Sequence, residues 1–362
     1  MRLVKLLGLG AVFIALAVVL SKIGSVGLAQ ADCTATVKPG ESIQKAIDAA
    51  PEGAIICLTA GAWEENIIIR KSLTLRGAGQ EYTSIKSKPF PIIQLTQPPV
   101  ILIQSSVEKS VLIEGLNISG ARLDAGVRVQ GKAKATFSHV RIFDNGFGDL
   151  VAEGSSQITV ANAYLSRLSL RDSSRADISK VEVYQGSVNV QDSASLVFKN
   201  SRVVGSVQAS DSAQASITGS TIYGGISVTD FASVRIISSL VSRGGIWGVY
   251  VADMADLDIR DSRIVGHAGC GIWVLSHVAR VSGTPNEMRD NGADLCGYAP
   301  VAIRKPLVPE TQKLQLSVPD DYKTIQEAVD ALAPGGTVHC RARKLSRRSD
   351  YLEAAHAAGV RS

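Results

Sequence analysis

Aromatic side chains are scarce, at 5% of 362 residues, and histidine occurs only 5 times. So few rings exclude a core built on stacked aromatics. There is no C-x-x-C motif and no His/Cys spacing of the kind that binds zinc. Charge of one sign is also thin: the net is +5, and Lys and Arg stand singly until the C-terminal tail. A nucleic-acid surface needs a basic stripe with interleaved rings, so no nucleic-acid partner is expected. The longest apolar run, residues 6–20, is short for a bilayer span.

What is present is a repeat. The stretch 111–283 carries one eight-residue pattern nine times, starting at Val111, Ala135, Ile158, Ala176, Leu196, Ala215, Val234, Leu257 and Val278. The starts lie 18 to 24 residues apart. In the first eight copies positions one, three and eight are apolar, as in L-D-I-R-D-S-R-I at Leu257. Position five is usually a turn residue: Gly115, Asn162, Asn200, Gly219, Ser238 or Asp261. Alternation with period two marks a strand with one buried face. A break in Gly, Asn, Asp or Ser marks a corner.

A second strand precedes many copies, as in G-V-R-V-Q at Gly126 and G-I-W-V-L-S at Gly271. Such a unit cannot bury its own apolar face, but coaxial stacking buries it. No coil has room for a helix, which excludes a leucine-rich repeat. A propeller blade needs about 40 residues. The expected fold is all-β: a right-handed parallel β-helix, or solenoid, the hand following from the crossover rule.

Residues 1–31 have the form of a signal peptide: Arg2 and Lys5, the apolar run, then Ala29-Gln30-Ala31 before Asp32. The alternative is an uncleaved anchor. The expected location is secreted or extracytoplasmic, in the periplasm or at the cell surface, with no membrane association after cleavage. Cysteine usage agrees. Cys33 and Cys57 flank the first strand–helix–strand unit, and Cys270 and Cys296 flank the last coil. Two near pairs in an exported chain point to disulfides pinning both ends.

In residues 33–80, Ile43, Ala46, Ile47 and Ala50 sit at helical spacing, and Pro51 and Gly53 end the pattern. A short N-terminal helix laid over the first coil caps its open apolar end. Strands are expected at 54–58, 66–69 and 73–75. The motif S-I-Q-x-A-I-D-A-A, followed by G-x-W-x-E-N-I-x-I-x-K-S-L-T-L-R-G-x-G, resembles the N-terminal motif of the pectin-lyase-like right-handed β-helix superfamily. That superfamily includes pectinesterases, pectate lyases, polygalacturonases, alginate epimerases and a periplasmic copper-maturation protein. The resemblance spans residues 33 to about 300 and implies the fold. No signature of one enzyme family accompanies it.

Residues 284–313 lose the pattern, and the domain is expected to span 32–300, with a linker over 301–317. Residues 318–338 then repeat the N-terminal module: Thr324-Ile325-Gln326 matches Ser42-Ile43-Gln44. The final stretch, 339–362, is Arg-rich without strand pattern. Back-translated with free codon choice and shifted by one nucleotide, it can encode the next residues of a second module. A frameshift near His339 is expected, leaving a disordered tail in which Cys340 is accidental.

Aligning the copies sorts outward side chains into columns. On the second strand the column is Arg128, Leu150, Ser169, Asn189, Gln208, Ser227, Tyr250, Trp273. Beside it run Thr136, Thr159, Asp177, Val197, Ser216, Arg235, Asp258, Ala279. Rings stack on sugars and amides bond hydroxyls. Arg128, Asn189, Gln208, Trp247, Tyr250 and Trp273 are therefore the candidate carbohydrate contacts. An ordinary solvated face is the alternative.

Asp172, Asp192, Asp211, Asp230 and Asp253 share one corner. Such a ladder can hold Ca²⁺ through oxygen ligands, but Asp is also a turn residue that bonds backbone, and no cofactor is expected. Asp258, Arg260 and Asp261 resemble the Asp/Arg grouping of β-helix lyases and esterases, with surface ion pairing as the other account. His267, in G-H-A-G, is similar to the G-H-G of polygalacturonases, whose other elements are missing. The functional expectation is an exported, monomeric, non-catalytic β-helix that binds polysaccharide or cell-surface glycan. The alternatives are a polysaccharide-active lyase, esterase, hydrolase or epimerase, and a periplasmic metal-delivery accessory.

Overall fold

The computed structural model describes residues 32–89, 96–106, 108–304, 315–318, 325 and 337–340. The expected signal segment and the tail beyond Cys340 lie outside the described residues. Residues 32–304 belong to one compact unit, a three-sided solenoid of parallel strands. Sheet B holds positions one to four of the repeat, sheet C positions six to eight, and sheet A the strand that closes each coil. Sheet B stacks eleven successive strands, from Ala54–Leu58 through Leu73–Arg76 to Arg280–Gly283, all parallel and in register. This is the right-handed β-helix the periodicity predicts.

Inward positions stack in columns of like shape. Val111, Ala135, Ile158, Ala176 and Leu196 form one, and Ile118, Ile142, Leu165, Val183 and Val203 another, each at most 5% exposed. Each fully buried Val, Ile or Leu stabilises by roughly 1.5–3 kcal/mol. The corner between B and C is a single left-handed residue in the first eight copies, with φ between 48° and 65°. Gly, Asn and Asp suit that conformation, but His139 and Lys180 adopt it too. The stacking of the coils imposes it there.

The motif S-I-Q now has a physical account. Ser42 caps the helix Ile43–Ala49, its side chain accepting from the Lys45 N–H at 3.2 Å. The Glu65 carboxylate accepts from the N–H groups of Ile43 and Gln44 at 2.8 and 3.1 Å, and from the Ser42 hydroxyl at 2.7 Å. Ile43 and Ile47 face the core. Gln44 pairs its amide with the backbone of Ile68, accepting at 2.7 Å and donating at 3.1 Å. It thus satisfies the first strand of sheet A, which would otherwise offer an open edge. The Cys33–Cys57 disulfide pins this end, and Cys270–Cys296 the other.

The far end corrects the sequence analysis. Val281, not Val278, stacks on Leu257. Residues 275–278 form part of a longer corner, and Val278 is exposed. In the shifted frame position eight is Met288, buried beneath Ile264. The pattern therefore continues past 284: Glu287–Arg289, Ala293–Gly297 and the 3₁₀ turn Val301–Ile303 add a further coil. The compact unit ends at Arg304.

In the second unit Gln315–Val318 and Thr337–Cys340 pair in parallel, with Leu316 opposite Val338. The first module pairs Ala35–Val37 with Ala54–Leu58 in the same sense. Ile325, the counterpart of Ile43, is helical and buried. The strand Thr337–Cys340 runs into the stretch expected to lack strands.

Candidate functional site

Register decides which outward residues of sheet A are neighbours. The column runs Arg128, Val151, Ser169, Asn189, Gln208, Ser227, Tyr250, Trp273. Val151 takes the place expected of Leu150, whose side chain is in the core opposite Val127 and Leu168. The two are adjacent and both apolar, so alternation alone could not separate them. In the sheet B column, Ser282 stands beside Asp258 where Ala279 was expected.

At the C-terminal end of this face three rings meet. The Trp247–Tyr250, Trp247–Trp273 and Tyr250–Trp273 centroids lie 5.3, 5.7 and 5.6 Å apart. Their planes cross at 36°, 60° and 75°. All three are half-exposed, so the cluster has walls in several orientations instead of one flat platform. The Cys270–Cys296 pair borders it, since Trp247 stacks on Cys270 and Trp273 on Cys296. Gln208 is exposed, and Asn189 and Ser227 are half-buried, continuing the face from the rings toward Arg128.

Arg128 is not a free contact. Its guanidinium donates to both Glu153 oxygens, at 3.2 and 3.1 Å, and to Asp124. Gln130 also donates to Glu153. Burial works against the Arg128 charge, yet Asp124 and Glu153 outweigh it and hold its pKa above the ordinary value.

Of the four candidate catalytic residues, only Asp258 and Arg260 are brought together, as an ion pair on the outer face of sheet B. Asp258 lies between two cations, with Arg260 at 2.8 Å and Arg235 at 3.1 Å. The Asp258 carboxylate raises the Arg260 pKa. Asp261 is a left-handed corner residue whose carboxylate accepts from Thr284 at 3.3 Å. His267 points inward and is 1% exposed. Its Nδ1 accepts from the Gly244 N–H at 3.0 Å, and Nε2 faces the Val241 carbonyl at 3.2 Å. The imidazole takes the role that an amide takes elsewhere on the corner between C and A. Asn145 accepts there from the Ala121 N–H at 3.0 Å and donates to the Phe143 carbonyl at 2.9 Å. Asn291 accepts from the His267 N–H and donates to the Ile264 carbonyl. Asp149 lies beside Asn145, and burial pushes its carboxyl pKa up against three N–H donors, from Asn145, Ser166 and Arg167.

The aspartate ladder serves the turns. Asp172, Asp192, Asp211, Asp230 and Asp253 all have φ of 56° to 58°. The Oδ2 of each accepts a backbone N–H from the preceding coil, at 2.7 to 3.2 Å. Among the described residues no group of three His, Cys, Asp or Glu side chains could hold a metal ion.

Sequence reasoning missed the outer face of sheet C. Two shallow grooves lie on it, of about 400 and 360 Å³. Both are bordered by Gln80 and Glu81, the first also by Phe143 and the second by Arg141 and Tyr164. Position seven and the residue after the repeat carry the signal: Arg141, Tyr164 and Arg202 in one column, Phe143, Tyr184 and Tyr223 in the other.

The family model described as a right-handed β-helix region matches residues 100–291. Among solved structures, the chain is similar to an alginate lyase from Paenibacillus sp. str. FPU-7, with 14% identity and a TM-score of 0.51, over 74% of this chain and 99% of that one. It is similar also to the A-module of mannuronan C-5 epimerase AlgE4 from Azotobacter vinelandii, with 17% identity and a TM-score of 0.43, over 71% and 93%. A carrot pectin methylesterase matches at 13% identity and a TM-score of 0.38, over 74% and 89%. No curated protein matches the chain.

Proposed function

The chain belongs to the right-handed β-helix family, and from that premise we propose that it is an exported protein binding carbohydrate on sheet A without cleaving it. The observation carrying this reading is the half-exposed cluster of Trp247, Tyr250 and Trp273, with centroids 5.3 to 5.7 Å apart. Exposed rings grouped on one face favour a ligand, because they retain apolar area in water. A sugar ring offers a C–H face to one aromatic and its edge to another. The amides of Gln208 and Asn189 extend the site along the column toward further hydroxyls. Export is supported by the two disulfides, which persist in oxidising compartments. No helix among the described residues is long and apolar enough to cross a membrane.

A second reading rests on Asp124 and Glu153, two carboxylates on one arginine of the same face. Glycoside chemistry uses paired carboxyl groups. The binding reading is preferred because both acids are tied up in the Arg128 ion pairs, whereas the rings keep contact surface. A glycan array followed by calorimetric titration of any hit tests it. Trp273→Ala is expected to weaken binding by about tenfold or more, as for an anchoring ring. An array with no hit, or undiminished binding by the variant, would sink the proposal. Release of shortened or unsaturated product from the bound glycan would favour the enzyme instead.

A further inference from the structure

We propose that the outer face of sheet C is a second carbohydrate site, selective for anionic glycans and separate from the ring cluster on sheet A. This goes beyond the sheet A reading and stands without it. Five consecutive coils contribute two columns of side chains, and the coils on either side add to them. One column runs Arg141, Tyr164, Glu182, Arg202, Thr221. The next holds Phe143, Tyr184 and Tyr223, with Tyr184 and Tyr223 two coils apart across Val204. At about 4.8 Å per strand, Phe143 and Tyr223 stand roughly 19 Å apart along the axis.

Rings and cations interleave. The Arg141 guanidinium lies 5.4 Å from the Phe143 centroid and 5.5 Å from that of Tyr164. Tyr164 and Tyr184 are 6.0 Å apart. Arg202 and Arg243 approach the Tyr223 ring at 4.9 and 5.4 Å. Stacking on a ring orients a guanidinium and leaves N–H donors at its rim for a ligand. Tyr184, Arg202, Arg243 and Lys180 are exposed. Gln80 and Asn117, both half-buried, border the first groove and add side-chain amides to its rim.

The charge pattern selects the ligand class. Lys86, Arg141, Lys180, Arg202 and Arg243 stand against Glu81, Asp144 and Glu182, five cations less three anions, or +2. Arg141 pairs with Glu81 and Arg202 with Glu182. Lys86, Lys180 and Arg243 have no ion pair with a described residue. A polyphosphate backbone would press an anion on each carboxylate. A glycan carrying carboxylate or sulfate groups between neutral hydroxyls can place anions at the cations and hydroxyls at the carboxylates. Sheet strands use their backbone groups between coils, so side chains alone make the contacts, across the strands and along the axis.

The test is calorimetric titration of the full chain with polygalacturonate, heparin, dextran and oligothymidylate, at low and high salt. Polygalacturonate or heparin is expected to bind, more weakly at high salt, and the preferred one identifies carboxylate or sulfate as the recognised group. Arg202→Gln/Arg243→Gln is expected to weaken that binding about tenfold, the sum of two partly exposed charge contacts. Tyr184→Ala is expected to weaken it by a smaller factor, and Trp273→Ala to leave it unchanged. All these positions face outward, and an unchanged unfolding midpoint confirms that each variant is folded. The proposal is overturned if neither anionic glycan binds at low salt, if dextran or oligothymidylate binds as tightly, or if the arginine variant binds like the parent. Loss of anionic binding in Trp273→Ala would also overturn it, by placing that ligand on sheet A and leaving the sheet A reading intact.

Discussion

Two corners of the solenoid use one hydrogen-bonding device in opposite surroundings. Between sheets B and C, Ser201, Ser220, Ser239, Ser262 and Asn286 form a buried ladder. Each accepts a backbone N–H from the coil before, at 2.9 to 3.2 Å. Each serine also donates to the carbonyl two residues back, at 2.7 to 2.9 Å. Between sheets A and B the aspartate ladder makes the same N–H contact in water. Removing an acceptor at the buried corner strands an N–H away from solvent, while at the exposed corner water replaces it. The bond lengths are alike, so burial sets the cost.

The largest loss is expected at Ser239. Ser239→Ala leaves the Ser220 N–H without its acceptor and is expected to cost about 1–3 kcal/mol, measured by denaturant unfolding. At the exposed corner, Asp211→Gly keeps the left-handed φ and removes the contact to the Asp192 N–H. About 1 kcal/mol is expected, most of it glycine chain entropy. If the two variants lose equal stability, burial is not what separates the corners.

The smallest effect belongs to Glu52, an exposed residue pinned near the N-terminal end. The Lys109 ammonium at 2.9 Å and the Ser72 N–H at 2.8 Å lower its pKa from 4.5 to about 2. A depressed carboxyl pKa contributes stability above the unfolded value, and that contribution is lost as pH falls from about 4.5 toward 2. Glu52→Gln should therefore lower the unfolding midpoint slightly at neutral pH and not near pH 2, with salt shrinking the difference. A gap that persists at acid pH would assign the effect to packing.

Much of this was legible in the sequence. Ser42, Ile43 and Gln44 announced the cap, and each has a distinct physical task there. The inward columns followed from alternation, and both cysteine pairs are bonded as their placement implied. The misplacements share one cause. The apolar pair Leu150–Val151 hid which residue turns outward, and the longer corner at 275–278 displaced the last copy by three residues. His267 was visible as a titratable group in a glycine-rich turn, but its inward direction depends on the chain path from C to A. The sheet C strip was present at position seven and in the residue that follows the repeat. Those offsets do not by themselves place Arg243, which reaches the Tyr223 ring from the corner of the next coil.

The order of residues along the chain specified the coil, because strand alternation and left-handed corner residues act over a few neighbouring positions. It also determined which side chains stack in the core, since only one phase of the alternation buries apolar surface. Which outward residues meet was settled by the packing of coil on coil. Successive starts are 18 to 24 residues apart, and the length of each corner fixes how one coil registers on the next. Trp247, Tyr250 and Trp273 become one cluster, and Arg202, Arg243 and Tyr223 another, through that register alone.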